Sequence, residues 1–162
     1  MSSGGGQAQR VLLFSTLLGA VMGVAGAFVV VVAAQKPYPI YTADHLAATM
    51  ETLGPNFTAT MQSLDAADYP TTKQRLSRSR EQLATTITFW RDHEKEDAIG
   101  FVRAALRAMD ELDAVLSTES VGLGATTTAA GQIRAACASC HNLYREQDAA
   151  TGEFRLKSGA VE

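Results

Sequence analysis

The chain of 162 residues holds only two cysteines, Cys137 and Cys140, and His141 follows the second directly. On a helix, residues three or four apart share a face, so both thiols and the imidazole project to one side. This is the spacing of covalent c-type haem attachment. The thiols reach the two vinyl groups on one porphyrin edge, and His141 turns a ring nitrogen to the iron as a standard proximal ligand. Two other chemistries compete. A structural zinc site asks for four ligands, and the chain adds only His45 and His93 to the set. A redox Cys-x-x-Cys pair sits more naturally in a βαβ pattern, and no strand pattern is visible. The expected cofactor is one covalent haem c.

The elements that position this motif read as helices throughout. Leu46, Met50, Leu53, Phe57, Met61 and Leu64 step by threes and fours as one apolar stripe, with Thr42 as N-cap. Gly54-Pro55 falls inside the stripe and is expected to kink or briefly break the helix. Residues 65–69 make a turn, and Pro70 suits the first turn of a second helix. Leu76, Leu83, Ile87 and Trp90 mark that helix's inner face. The charged run 91–97 reads as a solvated connection that includes His93. Ile99, Val102, Leu106, Met109, Leu112 and Leu116 form a third stripe. Residues 117–126 read as a loop, and a fourth helix over 127–150 carries the haem motif. Thr151-Gly152 is expected to stop it, leaving a tail over 153–162. Four amphipathic helices with short connections predict an all-α, antiparallel up-down-up-down bundle over residues 42–152, with the cofactor between the facing stripes.

Before this domain the chain changes character. Residues 1–10 are small and polar, a flexible lead-in. Residues 11–34 run 24 positions without a charge, enough to span a bilayer core as a helix. A cleaved signal peptide competes, with Ala33-Ala34 at the cleavage site, but the apolar run exceeds the usual signal core. A single transmembrane anchor is therefore expected. Ser15, Gly19, Gly23 and Ala27 line one face of it, the kind of small strip that lets membrane helices pack closely. Residues 35–41, with Pro37 and Pro39, form a short stiff spacer whose tyrosines suit the membrane interface.

The segment Cys137-Ala138-Ser139-Cys140-His141-Asn142-Leu143-Tyr144-Arg145, near the end of the last of four helices, resembles the cytochrome c-prime family and its low-spin relatives. Met50-Glu51-Thr52-Leu53 is similar to that family's distal-side segment, and Trp90 is a weaker match. The resemblance covers residues 42–150. It implies thioethers at Cys137 and Cys140, proximal ligation by His141, and Arg145 beside the proximal haem face. Tyr144 reads as packing. One departure stands out: typical members are soluble, whereas this chain reads as anchored.

Function turns on the sixth coordination position. Met50 is the leading candidate, by the resemblance of its segment to the family's distal side and by its place on the inner stripe, and a thioether ligand gives a raised potential suited to electron transfer. A methionine at helical spacing is also ordinary core filling, the role expected of Met61 and Met109. His45 would serve only if the first helix were rotated. Arg75, Arg78 and Arg80 are close enough in sequence to form a basic patch.

The net charge of −3 excludes a polyanion as an evident partner, nucleic acid included. Arg10 and Lys36 precede the bundle while every Asp and Glu lies within or after it, so the domain itself is mildly acidic. No phosphate loop or second cofactor motif points to an enzyme. The sequence thus leads to a single-pass protein of the bacterial cytoplasmic membrane with its haem domain on the periplasmic side. It would carry electrons between a membrane respiratory or photosynthetic complex and another carrier protein. The alternative is a five-coordinate haem protein that binds nitric oxide or carbon monoxide.

Overall fold

The computed structural model describes residues 41–161. The lead-in 1–10, the anchor 11–34 with its small-residue strip, and the spacer up to residue 40 lie outside the described residues. The chain then forms helices α1 (Ala43–Asp65), α2 (Tyr69–Asp92), α3 (Glu96–Leu116) and α4 (Leu123–Tyr144), and strands β1 (Arg145–Gln147) and β2 (Phe154–Leu156).

Local chemistry starts the first two helices where the sequence places them. Thr42 caps α1 by accepting from the His45 backbone N–H, and His45 Nδ1 in turn accepts from the Thr42 N–H at 3.2 Å. This is a capping box with an imidazole in the usual carboxylate's place. His45 is thereby committed to the helix end, 2.8 Å from the Thr42 hydroxyl. Asp68 caps α2 through the Thr71 N–H at 3.2 Å, with Pro70 in the first turn. Short connections then reverse the chain. Ala67 (φ 56°) and Glu94 (φ 57°) adopt the left-handed backbone that usually falls to glycine or asparagine.

Polar contacts across the seams give the helix directions. Asn56 donates to Gln82 at 2.8 Å and Arg75 to the Ala59 carbonyl at 3.0 Å, so α1 and α2 run antiparallel. Arg80 pairs with Asp110, and Lys73 lies 3.7 Å from Asp113, so α2 and α3 do as well. Helices pack in chain order, α1 on α2, α2 on α3 and α3 on α4. No comparable close seam joins α1 to α4 among the described residues. The core between them holds Leu76 and Phe89 of α2, Met109 and Leu112 of α3, and Ile133 of α4, all fully buried. Met61 and Met109 are core residues, as their spacing implies.

Four details depart from the expectation. Gly54-Pro55 does not break α1, which runs through Pro55. The helix gives up only the Pro55 bond to the Glu51 carbonyl, on an exposed face where water can replace it. α4 begins four residues early, with Thr126 and Thr127 hydroxyls bonding back to the Leu123 carbonyl, both at 2.9 Å. It also ends at Tyr144, six residues before the expected stop, because Arg145–Gln147 pairs antiparallel with Phe154–Leu156. Gly152, at φ +76°, turns this hairpin instead of ending a helix. The expected tail therefore contributes a strand, and the hairpin packs on the bundle through Leu156.

A proline in a helix interior costs about 3 kcal/mol relative to alanine. Pro55→Ala is expected to raise the urea midpoint of unfolding by the equivalent of about 1–3 kcal/mol, with the denaturant slope unchanged. A midpoint that stays or falls would show that α1 needs the interruption.

Candidate functional site

Where α1 and α4 fail to close, a cavity of about 440 Å³ opens. Its wall is assembled from all four helices and the hairpin. From α1, Met50, Leu53 and Phe57 face it at helical spacing. α4 presents Cys137, Cys140, His141 and Tyr144. Leu83 and Trp90 of α2 and Val102 of α3 form the floor, and Arg145, Phe154 and Leu156 belong to the hairpin side. All five residues singled out as cofactor contacts, Cys137, Cys140, His141, Met50 and Arg145, line this one cavity. They come from opposite ends of the domain's sequence, and only the bundle brings them together.

The other candidates fall elsewhere. His45 serves the α1 cap and does not line the cavity. His93 caps the C-terminus of α2 and stacks on Phe89 with ring centroids 4.4 Å apart, so it is half-buried instead of solvated. Arg75 turns to α1 and Arg80 to α3. Neither they nor Arg78 reach the cavity wall, so no basic patch forms there.

Burial sets the protonation of the motif. The Cys137 and Cys140 sulfurs are free thiols. Desolvation pushes Cys137 upward, and burial reinforced by the charges of Cys137 and Asp97 pushes Cys140 up to about 11. His141 is held below the usual histidine range by burial and then by the Arg145 guanidinium. Its ring is therefore neutral, the form that donates a lone pair to a metal. Tyr144 donates its hydroxyl to Asp97 Oδ1 at 2.6 Å and joins α4 to the start of α3. Burial first, and then this bond, push the Tyr144 hydroxyl up, while the same bond holds the Asp97 carboxyl low.

This donor set fits a covalently attached haem. Two protonated thiols and a neutral imidazole face an apolar space within the range of small-ligand sites. Gly54, on the same wall as Met50, adds room, since a Cβ there would meet nothing within 4 Å. The Trp90 indole N–H is buried without a hydrogen-bond partner at the cavity floor, an unmet donor that a polar group bound alongside would satisfy after a small shift. Among the described residues no three His, Cys, Asp or Glu side chains converge to hold a metal ion by themselves. A zinc site made of protein ligands therefore has no donor set there.

Sequence reasoning underweighted Trp90 and Tyr144 and passed over the hairpin residues. Tyr144 stands three residues after His141, a spacing that places it on the motif's face. Nothing in the local pattern of residues 154–156 reveals that they return to the cavity. No family model matches this chain, and no curated protein or solved structure matches it.

A carboxyl whose folded value is depressed stabilises the fold above its unfolded value, about 4, and that gain is lost as the pH falls through the folded value. Tyr144→Phe removes the largest cause of the Asp97 shift. It is expected to cost about 1 kcal/mol or less at pH 7, with the deficit shrinking as the pH falls below the usual carboxylate range and Asp97 is protonated in both states. Denaturant midpoints measured across that range check it, and a deficit independent of pH would mean that packing alone is lost.

Proposed function

We propose that the chain is a membrane-anchored c-type cytochrome that carries single electrons, as a subunit of, or docked to, a membrane respiratory or photosynthetic complex. The observation that carries this reading is the meeting of Cys137, Cys140, His141 and Met50 on one apolar cavity. When bound, haem c supplies a one-electron ferrous–ferric couple. Cys137 and Cys140 would hold it through thioethers, and His141 would give a ring nitrogen to the iron. Met50 offers a thioether sulfur from α1. Leu53, Phe57 and Val102 give the cavity apolar walls, and an apolar surround would disfavour the more charged oxidised iron.

In this reading the anchor over residues 11–34 keeps the domain at the periplasmic face of the cytoplasmic membrane. It thereby raises the effective concentration near a membrane partner. The space beside Gly54 favours a second reading, in which the sixth position stays open and the iron takes nitric oxide or carbon monoxide. By the same physical reasoning a tether adds little to gas capture, so electron transfer is placed first.

Optical spectra of the full-length protein matured with haem, oxidised and reduced, with and without carbon monoxide, test both. Electron transfer with Met50 ligation predicts a low-spin reduced spectrum that carbon monoxide does not alter. It also predicts conversion of Met50→Ala to a high-spin form that binds carbon monoxide. A wild-type spectrum that is already high-spin and shifts with carbon monoxide overturns Met50 as ligand and puts gas binding first. Cys137→Ala with Cys140→Ala is expected to abolish covalent haem, seen as loss of haem stain on denaturing gels.

A further inference from the structure

The C-terminal hairpin stands outside the helical pattern, yet all three residues of β2 line the cavity. The hairpin is tied firmly to the end of α4. Lys157 donates its backbone N–H to the Tyr144 carbonyl at 2.9 Å and its Nζ to the Asn142 carbonyl at 2.7 Å. These bonds take up carbonyls that a helix C-terminus leaves without partners.

Two arginines reach the cavity from this hairpin, and they are treated differently. Arg155 is neutralised by Glu146 at 2.9 Å and Asp148 at 3.4 Å. Arg145 has no ion-pair partner among the described residues. Its guanidinium lies instead 4.0 Å from the centroid of the Phe154 ring. Phe154 is 57% exposed, so burial of apolar surface does not account for a phenylalanine there. An aromatic face attracts a cation without cancelling its charge. The β register places the two side by side: Arg145 pairs with Leu156, and Phe154 is the diagonal neighbour two residues away on the same strand face.

We propose that Phe154 is a positioning residue that holds Arg145 on the cavity wall as an un-neutralised cation, so that the hairpin sets the reduction potential of the bound haem. The proposal rests on the haem reading of the cavity. A fixed positive charge beside the cavity would favour the reduced iron, which carries one charge fewer. Glu146 and Asp148 pair with Arg155 and largely offset its charge. Arg145 is exposed, so what the ring supplies is position: without it the guanidinium is free to swing away from the cavity wall, and its charge is then screened from the site by solvent.

The test uses full-length protein carrying covalent haem, with the midpoint potential read by optical redox titration. Phe154→Leu keeps an apolar side chain and removes the π face, whereas Phe154→Tyr keeps the face. The expected result is a lower potential in Phe154→Leu, the wild-type potential in Phe154→Tyr, and no further fall when Phe154→Leu is added to Arg145→Gln. Thermal unfolding of each variant shows whether the hairpin and bundle are retained. A potential unchanged in Phe154→Leu overturns the proposal. So does an equal fall in the Arg145→Gln background, which would mean that the ring acts by excluding water. Wild-type protein that matures without covalent haem overturns the haem reading itself and this proposal with it. Haem present with uncoupled variants overturns this proposal alone.

Discussion

The site depends on a seam that the bundle does not close. Helices α1 to α4 pack in chain order, but among the described residues α1 and α4 form no comparable close seam, and the cavity is lined by both. The other seams tolerate this because they are built to pack tightly. Between α3 and α4 lie Ala105, Ala108, Ala129 and Ala130, all buried and all small enough for the helices to approach. On α1 the residues facing the gap are long or aromatic, Met50 and Phe57, and they are only half-buried. Apolar side chains left partly uncovered at the centre of a bundle are costly, and a bound apolar group of the right size would cover them.

The cavity has a polarity of its own. Its interior is apolar and its motif residues are neutral, but charge returns at the rims. Asp44 and Glu51 stand on the α1 side, and Arg145 and Arg155 on the hairpin side. The Tyr144–Asp97 bond fastens α4 to α3 close to the motif. A neutral His141 and two protonated thiols result from the same desolvation that makes the interior hospitable to an apolar group. Burial thus prepares the donor set and the space together.

Much of the frame could be read directly from residue order. The stripes of α1, α2 and α3 follow apolar spacing, Thr42 caps α1 and Pro70 stands in the first turn of α2 as expected, while the cap of α2 at Asp68 emerges only in the structure. Phe89 lies off the three-and-four spacing of Leu76, Leu83, Ile87 and Trp90, yet it is fully buried while Ile87 is only half-buried. The small and hydroxylated core residues escape the apolar pattern as well. Thr60, Thr72 and Thr86 satisfy their hydroxyls on carbonyls three or four residues back, at 2.7–2.8 Å, and so enter the core without appearing apolar.

The sequence by itself determined the chemistry: two thiols and an imidazole on one helical face, a methionine on another stripe, and a 24-residue uncharged run ahead of the domain. These depend on residue type and local spacing, which short-range geometry makes legible. Only the tertiary structure decided which of those residues share a space. That Met50 and the motif line one cavity, that Arg75 and Arg80 turn away from it, and that Phe154 returns to meet Arg145 all depend on contacts between residues far apart in the chain. The early end of α4 is the clearest case. The local pattern continues past Tyr144, but the pairing of Arg145–Gln147 with Phe154–Leu156 supplies hydrogen bonds that further helix would have to forgo.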